Sequence, residues 1–125
     1  MSALLLDTSA LFYYVTGTPR FGTRTRKLLD QSELYFSPLS LVELKQKALK
    51  GKLSLSRLDI QAFLELGLNP ISFIAETAQA FELIANDDLF DNMLLAQAKQ
   101  SRVRFLTSDL KILNLELDFV LDLTD

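Results

Sequence analysis

Short apolar segments alternate along the chain with longer stretches in which apolar residues recur at helical spacing. Five such segments stand out, the last two weaker than the others: residues 4–6, 33–36, 103–106, 69–73 and 118–121. This alternation is typical of βαβ units, in which helices connect parallel strands. The pattern therefore predicts an α/β protein with a parallel sheet, formed by residues 1–125 as one domain.

Helix signals fill the stretches between these segments. Ser37 followed by Pro38 is a typical helix start, and Gly51 provides a stop for the helix that begins there. Ser56 is the predicted cap of a further helix, which ends before Gly67. Additional helical pieces are predicted over residues 75–85 and 89–100 and in a short turn from residue 111.

Four acidic residues follow the predicted strands or lie at the start of predicted helices. Asp7 ends the first apolar segment and Asp109 follows the segment at 103–106, while Glu43 and Asp91 lie in early helical turns. In a right-handed parallel α/β fold, the C-termini of strands and the N-termini of the following helices share one edge of the sheet. We therefore expect the four carboxylates to meet at that edge.

Each acid also has a purely structural explanation. Asp7 and Asp109 are suited to cap the helices that follow them, and Ser40 to Glu43 matches a capping box. Asp88 with an acid three residues later fits a cap and its partner near the helix dipole. Jointly, however, four carboxylates on one edge raise one another's pKa values unless a cation lies among them.

The composition limits the chemistry open to such a cluster. The chain contains no His and no Cys, which excludes imidazole and thiolate metal sites, cysteine nucleophiles and Ser-His-Asp triads. An all-oxygen cluster suits Mg²⁺ or Mn²⁺. Such ions lower the pKa of bound water and neutralise the oxygens of a phosphodiester, so the residues favour a metal-dependent phosphodiesterase.

The formal net charge of -3 is unevenly distributed. Residues 1–57 hold nine Lys and Arg against four acids (+5), whereas residues 58–125 hold four against twelve (-8). The first part can face a polyanion, although two solvated faces of opposite sign explain the counts as well. The apolar runs are far shorter than the roughly 20 residues of a membrane span, and the basic region of a signal peptide is missing. We expect a cytoplasmic protein.

Four segments, LLLDTSAL, SPLSLVELKQKALKGKL, DLFDNMLLAQA and FLTSDLKI, resemble in order and separation the acidic motifs of PIN domains. The closest resemblance is to the small VapC-like toxins of prokaryotic toxin-antitoxin pairs, from residue 4 to about residue 121. It implies a three-layer α/β/α sandwich with a central parallel sheet of four to five strands. It also implies an Mg²⁺- or Mn²⁺-dependent endoribonuclease that leaves 5′-phosphate and 3′-hydroxyl products.

The resemblance assigns roles to individual positions. The metal-binding and catalytic acids would be Asp7, Glu43, Asp91 and Asp109, and the supporting hydroxyls Thr8, Ser9, Thr107 and Ser108. RNA phosphates are expected to meet nearby basic residues, first Lys45 and Lys47 and then Arg20 and Arg24. A solvated helix end explains the two lysines equally well.

The sequence departs from the toxins at Leu89 and Asn92, where they often have Pro and Arg, and this leaves substrate choice open. The resemblance also implies a homodimer with a groove for an antitoxin segment. Phe12, Tyr13 and Tyr14 are adjacent and cannot all face inward, so an exposed apolar strip is expected there; core packing or a protein contact explains these rings better than base stacking.

Other functions stay open at this point. A housekeeping PIN nuclease without an antitoxin and a catalytically silent PIN-like binding module fit the same residues. A receiver-like module or a haloacid-dehalogenase-type phosphatase fits less well, because each needs a second acid near Asp7. In the phosphatase pattern that position is occupied here by Ser9.

Overall fold

The computed structural model describes residues 2–52, 59–85 and 87–125. Five parallel strands form one sheet in the order β3-β2-β1-β4-β5. The strands are β1 (Ser2–Leu6), β2 (Ser32–Phe36), β3 (Leu68–Pro70), β4 (Arg104–Thr107) and β5 (Val120–Asp122). The helices in the described ranges are α1 (Thr8–Thr16), α2 (Thr23–Asp30), α3 (Pro38–Leu49), α4 (Ile60–Glu65), α5 (Ala75–Gln79), α6 (Leu89–Ser101) and α7 (Leu110–Leu113).

The central strand β1 is covered by helices on both faces. Leu4 and Leu6 pack into a core with α1 to α4, whereas Leu5 packs on the opposite face with α6 and α7. All three side chains are fully buried, which explains the uninterrupted apolar run, since a parallel strand between two helix layers has no polar face. The predicted three-layer α/β/α sandwich with a parallel sheet is confirmed.

The strand order reverses beside β1. The chain first adds β2 and β3 on one side of β1 and then crosses to add β4 and β5 on the other. In open parallel sheets this reversal leaves a crevice at the carboxyl ends of the two central strands. Asp7 follows β1 directly, and its backbone N–H donates to the Leu106 carbonyl of β4 at 3.0 Å, so the fold places this acid at the crevice.

Helix α3 begins as predicted. Ser37 precedes Pro38 as the N-cap, and its hydroxyl oxygen accepts a hydrogen bond from the Leu39 N–H at 3.1 Å. The predicted cap Ser56 lies outside the described residues. Within the described residues, α4 begins at Ile60. Its N-cap is Asp59, whose Oδ1 accepts a hydrogen bond from the Ala62 N–H at 2.8 Å.

One helix prediction was wrong in its extent, and one helix was not predicted. The helix expected over 75–85 ends at Gln79, because the backbone N–H groups of Ile84 and Ala85 donate instead to the Asn92 side-chain oxygen, at 2.8 and 3.3 Å. Helix α2 was not predicted, since its N-cap Gly22 supplies no side-chain hydrogen bond. Helix α2 is held by tertiary contacts that local sequence patterns do not reveal. No described helix has the length and apolar character needed to cross a membrane.

Candidate metal centre

A cavity of about 240 Å³ lies at the carboxyl end of β1 and β4. It is lined by Asp7, Thr8, Ser9, Glu43, Lys47, Asp91, Ser108 and Asp109. The four predicted acids reach it from four different parts of the chain: the end of β1, helix α3, the first turn of α6 and the residue before α7. The structure therefore brings the four carboxylates to one cavity.

Asp7 is both a helix cap and a wall of the cavity. Its Oδ1 accepts a hydrogen bond from the Ala10 N–H at 2.7 Å, which caps α1, and its Oδ2 accepts one from Thr107 Oγ1 at 2.5 Å. Only 8% of the residue is exposed. The capping and ligand roles that the sequence left open are therefore compatible, since each carboxylate oxygen keeps a further lone pair.

Burial raises the pKa of Asp7 from 3.8 to about 6. The hydrogen bonds from Thr107 and Ala10 oppose this rise, while the negative charges of Asp91 and Asp109 add to it. Within the described ranges, no cation is among the influences on this pKa. Ionised Asp7 therefore carries a charge that its surroundings do not balance, as expected where a cation binds.

Thr107 links Asp7 to Asp109. Its fully buried hydroxyl donates to Asp7 and accepts a hydrogen bond from the Asp109 N–H at 3.0 Å. Asp109 in turn caps α7, because its Oδ1 accepts from the Lys111 N–H at 2.8 Å. One side chain on β4 thus fixes the relative position of the acids that follow β1 and β4.

A second hydroxyl pair holds Glu43. Thr8 Oγ1 lies 2.6 Å from Glu43 Oε1 and 2.9 Å from Ser40 Oγ. Ser40 is fully buried, and the sequence pattern alone indicates for it only a place in a capping box. Because α3 begins at Pro38, Ser40 is already inside the helix, and its hydroxyl connects α3 to the start of α1.

Asp91 lies in the first turn of α6, whose N-cap is Asp88. The Asp88 Oδ1 accepts a hydrogen bond from the Asp91 N–H at 3.0 Å, as expected for a cap. Both acids also line an adjoining cavity of about 530 Å³, together with Asp87, Asp109 and Lys111. Asp91 and Asp109 therefore form the boundary between the two cavities.

The donors around the 240 Å³ cavity fit a hard divalent cation in kind. They are carboxylate and hydroxyl oxygens, which Mg²⁺ and Mn²⁺ prefer. Among the described residues, no three acids lie close enough together to form a ready-made metal-binding group. Three of the acids are instead each held by a hydroxyl or backbone group: Asp7 by Thr107, Glu43 by Thr8 and Asp109 by the Lys111 N–H.

The predicted RNA-binding residues lie in different places. Lys47 lines the cavity with the acids, whereas Lys45 is exposed on the same helix outside it. The Arg20 guanidinium lies over the Tyr13 ring, 5.1 Å from its centroid. Arg24 lines a separate cavity beside β5. The structure thus brings one of these four cations to the acids.

The aromatic residues of α1 are half-buried. Tyr13 and Tyr14 each make an edge-on contact with Phe21, with ring centroids 6.5 and 6.4 Å apart. These three rings line a cavity of about 390 Å³ whose other walls include Arg26 and Asp30. The predicted apolar strip is therefore partly internal to the protein and partly a surface feature.

The PIN domain family model matches residues 4–116 of the chain. The chain belongs to the PIN domain family. This confirms the resemblance drawn from the four acidic motifs, and the VapC-like members of this family are nucleases, so the family assignment supports a nuclease. No match is found among curated proteins.

Three solved structures share the fold. VapBC-1 from nontypeable Haemophilus influenzae has a TM-score of 0.72 at 17% identity, covering 98% of this chain and 99% of that chain. VapBC2 from Rickettsia felis, bound to a DNA fragment from its promoter, has a TM-score of 0.70 at 16% identity, covering 96% of this chain and 98% of that chain. FitAB bound to an IR36 DNA fragment has a TM-score of 0.66 at 20% identity, covering 98% of this chain and 96% of that chain. At these identities the likeness concerns the fold.

Proposed function

We propose that this protein is a divalent-metal-dependent endoribonuclease that hydrolyses RNA phosphodiester bonds and acts as the toxin of a toxin-antitoxin pair. One observation carries the proposal: four carboxylates from separate elements line one cavity at the crevice of the sheet. The chain has no His or Cys, so neither histidine acid–base chemistry nor a cysteine nucleophile can run the hydrolysis. Membership of the PIN family supports the same activity.

Three of the four acids would bind the metal ion directly, and the fourth would support them. Asp7, Asp91 and Asp109 would hold Mg²⁺ or Mn²⁺, and Glu43 would complete the cluster. When bound, the ion would lower the pKa of a water and neutralise the charged oxygens of a phosphodiester. Thr107 keeps Asp7 oriented and favours its ionised form through the 2.5 Å hydrogen bond.

The remaining residues around the cavity suit a phosphodiester substrate. Lys47 presents an ammonium group beside the acids, where it would attract a phosphate of the RNA strand. Ser9 and Ser108 line the same wall and can donate hydrogen bonds to phosphate oxygens or to water. Lys45, Arg20 and Arg24 lie outside this cavity and would extend the contact with the strand.

An antitoxin partner is supported by the structural neighbours, which are VapBC and FitAB complexes. In this chain the rings of Phe12, Tyr13 and Tyr14 offer an apolar surface for such a partner or for a second copy in a homodimer. The toxin would act on RNA in the cytoplasm until the antitoxin covers the cavity.

The activity is tested by incubating the purified protein with structured and unstructured RNAs in Mn²⁺ or in EDTA. We expect cleavage by the parent in Mn²⁺ alone and none by Asp7→Asn. Asp118→Asn, which changes an exposed acid that does not line the cavity, is the control and should cleave like the parent. RNA binding without metal-dependent cleavage would instead favour a catalytically silent binding module.

The toxin role is tested separately. The product of a small open reading frame next to the gene should bind the protein and stop the cleavage. A nuclease that no neighbouring gene product inhibits would be a housekeeping RNA-processing enzyme.

A further inference from the structure

A cavity bordered by three basic residues lies at the end of the sheet opposite the acids. Its volume is about 280 Å³, and it is lined by Ala98, Lys99, Arg102, Val103, Arg104 and Phe119. Arg104 begins β4 and Thr107 ends it, so the two ends of the strand are about 10 Å apart at roughly 3.3 Å per residue. No acidic side chain is among the described residues that line it.

Basic residues are rare in the part of the chain that forms this cavity. Residues 58–125 contain only four basic residues, and three of them, Lys99, Arg102 and Arg104, border this one cavity. Across the described ranges, none of the three side chains makes a hydrogen bond to another residue. Arg104 also borders the neighbouring cavity that Asp122 lines. Lys99 and Arg102 border only the 280 Å³ cavity among those described here.

The backbone of Arg102 is a second, independent observation. Arg102 ends α6 in the left-handed conformation, with φ 56° and ψ 42°. Glycine is the usual residue at such a helix end, because a Cβ is unfavourable there. Residues held in sparsely populated conformations cluster at functional sites. An arginine at this position thus keeps a guanidinium at the cavity at some cost in backbone energy.

The remaining residues that line the cavity are apolar. Ala98, Val103 and Phe119 border the same space as the three cations, and Phe119 is only partly buried against the core. Cations around an aromatic face are the features that single-stranded nucleic acids use, with phosphates on the charges and a base on the ring. A volume slightly below the range of ordinary small-molecule pockets limits the occupant to about one nucleotide.

We infer that this cavity is a second RNA contact, in which Lys99 and Arg102 bind a phosphate and Phe119 stacks on an unpaired base away from the cleaved bond. The inference relies on the proposed nuclease function only for the identity of the polyanion. The contact would hold the flanking part of a substrate strand, and it would bind in the absence of metal.

Substitution of Arg102 by glycine offers a clean test, because it removes the cation while relieving the backbone. Arg102→Gly should melt at a temperature equal to or above that of the parent. Its affinity for a labelled single-stranded oligouridylate, measured in EDTA at low salt, should fall on the order of tenfold, equivalent to a charged contact of about 1.4 kcal/mol. Lys52→Ala, an exposed lysine that lines none of these cavities, should change the affinity little.

The position of the contact is read from amide NMR shifts. Oligouridylate should shift the amides of Val103 and Phe119 in the parent, and in Arg102→Gly the same shifts should require roughly tenfold more oligouridylate. Phe119→Leu should weaken the binding of oligouridylate and leave the weak binding of inorganic phosphate unchanged. Unchanged affinity in Arg102→Gly, or shifts of the Phe119 amide that are equally large with inorganic phosphate alone or with an acidic peptide, would overturn the inference.

The outcome is separable from that of the proposed function. If RNA binds at this cavity in EDTA but no metal-dependent cleavage occurs, the second contact stands and the nuclease proposal fails. If cleavage occurs but Arg102→Gly binds RNA as the parent does, the nuclease stands and this contact is refuted.

Discussion

Thr107 donates a hydrogen bond to Asp7 across 100 residues of sequence, with 2.5 Å between Thr107 Oγ1 and Asp7 Oδ2. The same hydroxyl accepts from the Asp109 N–H. Thr107 ends β4 and Asp7 directly follows the neighbouring strand β1, so the bond spans the point where the strand order reverses. It orients Asp7 and offsets part of the effect of burial on its pKa.

Replacing Thr107 by Val is expected to raise the pKa of Asp7 above about 6, because the hydrogen bond that lowers it is lost. The acid limb of the pH–rate profile for RNA cleavage should move to higher pH. Below the pKa, the rate should fall roughly tenfold for each unit of the shift. Thr107→Ser keeps the hydroxyl and should keep the parent profile. An acid limb that stays in place in Thr107→Val would contradict this role.

The raised pKa of Asp7 predicts a pH-dependent stability. The folded-state pKa of about 6 lies above the ordinary value of 3.8, so the folded state binds this proton more tightly than the unfolded state. The free energy of unfolding therefore falls as pH rises through this interval, by about 3 kcal/mol from this group. Asp7→Asn lacks the effect and keeps an acceptor for the Ala10 N–H.

Denaturant unfolding of both proteins at about pH 4 and about pH 7 measures this difference. Relative to the parent, Asp7→Asn should gain stability between the lower and the higher pH. If Asp7 were only a cap with an ordinary pKa, the difference between the two proteins would be the same at both pH values.

Much of this arrangement could be predicted from the sequence. The run Leu4 to Leu6 followed by Asp7 predicts a central strand that ends at the functional edge, because parallel strands are apolar throughout and end where such folds bind ligands. The spacing of Glu43, Asp91 and Asp109 from helix starts and strand ends places them at the same edge. These are local signals combined with one rule of topology.

Other features depend on contacts that no local pattern encodes. The Ser40 hydroxyl meets Thr8 only because α1 and α3 pack together. Helix α2 gained no support from a side-chain cap and is held by the Thr25 N–H, which donates to the distant Asp125 carbonyl at 3.0 Å. Which of two lysines on α3 faces the acids likewise depends on how that helix is rotated in the fold.

Lys47 and Lys45 make a matched pair for testing the phosphate contact. Both are exposed on α3, but only Lys47 lines the cavity with the acids. Lys47→Ala should raise the KM for RNA and reduce the slope of log affinity against log salt by about one. Lys45→Ala should have a smaller effect on both quantities. Equal effects of the two substitutions would show that the lysines contribute only general charge.

Substitutions of Asp91 and Asp87 show which of the two adjoining acidic cavities binds the cation. Asp91 lines both of them, whereas Asp87 lines only the larger one. At a concentration of 100 times Kd, Mn²⁺ should stabilise the parent by about 2.7 kcal/mol, seen as a rise in melting temperature. Asp87→Asn should retain this rise and Asp91→Asn should lose most of it. Loss of the rise in Asp87→Asn alone would move the cation site to the larger cavity.

The central claim is that Asp7, Glu43, Asp91 and Asp109 together form a site for a hard divalent cation. Anomalous diffraction from crystals soaked in Mn²⁺ tests it most directly. We predict a manganese peak coordinated by carboxylate oxygens of Asp7, Asp91 and Asp109, and its loss in Asp7→Asn crystals soaked in the same way. Absence of a peak among these residues in the parent, or a peak bound only by Asp87 and Asp88, would contradict the account.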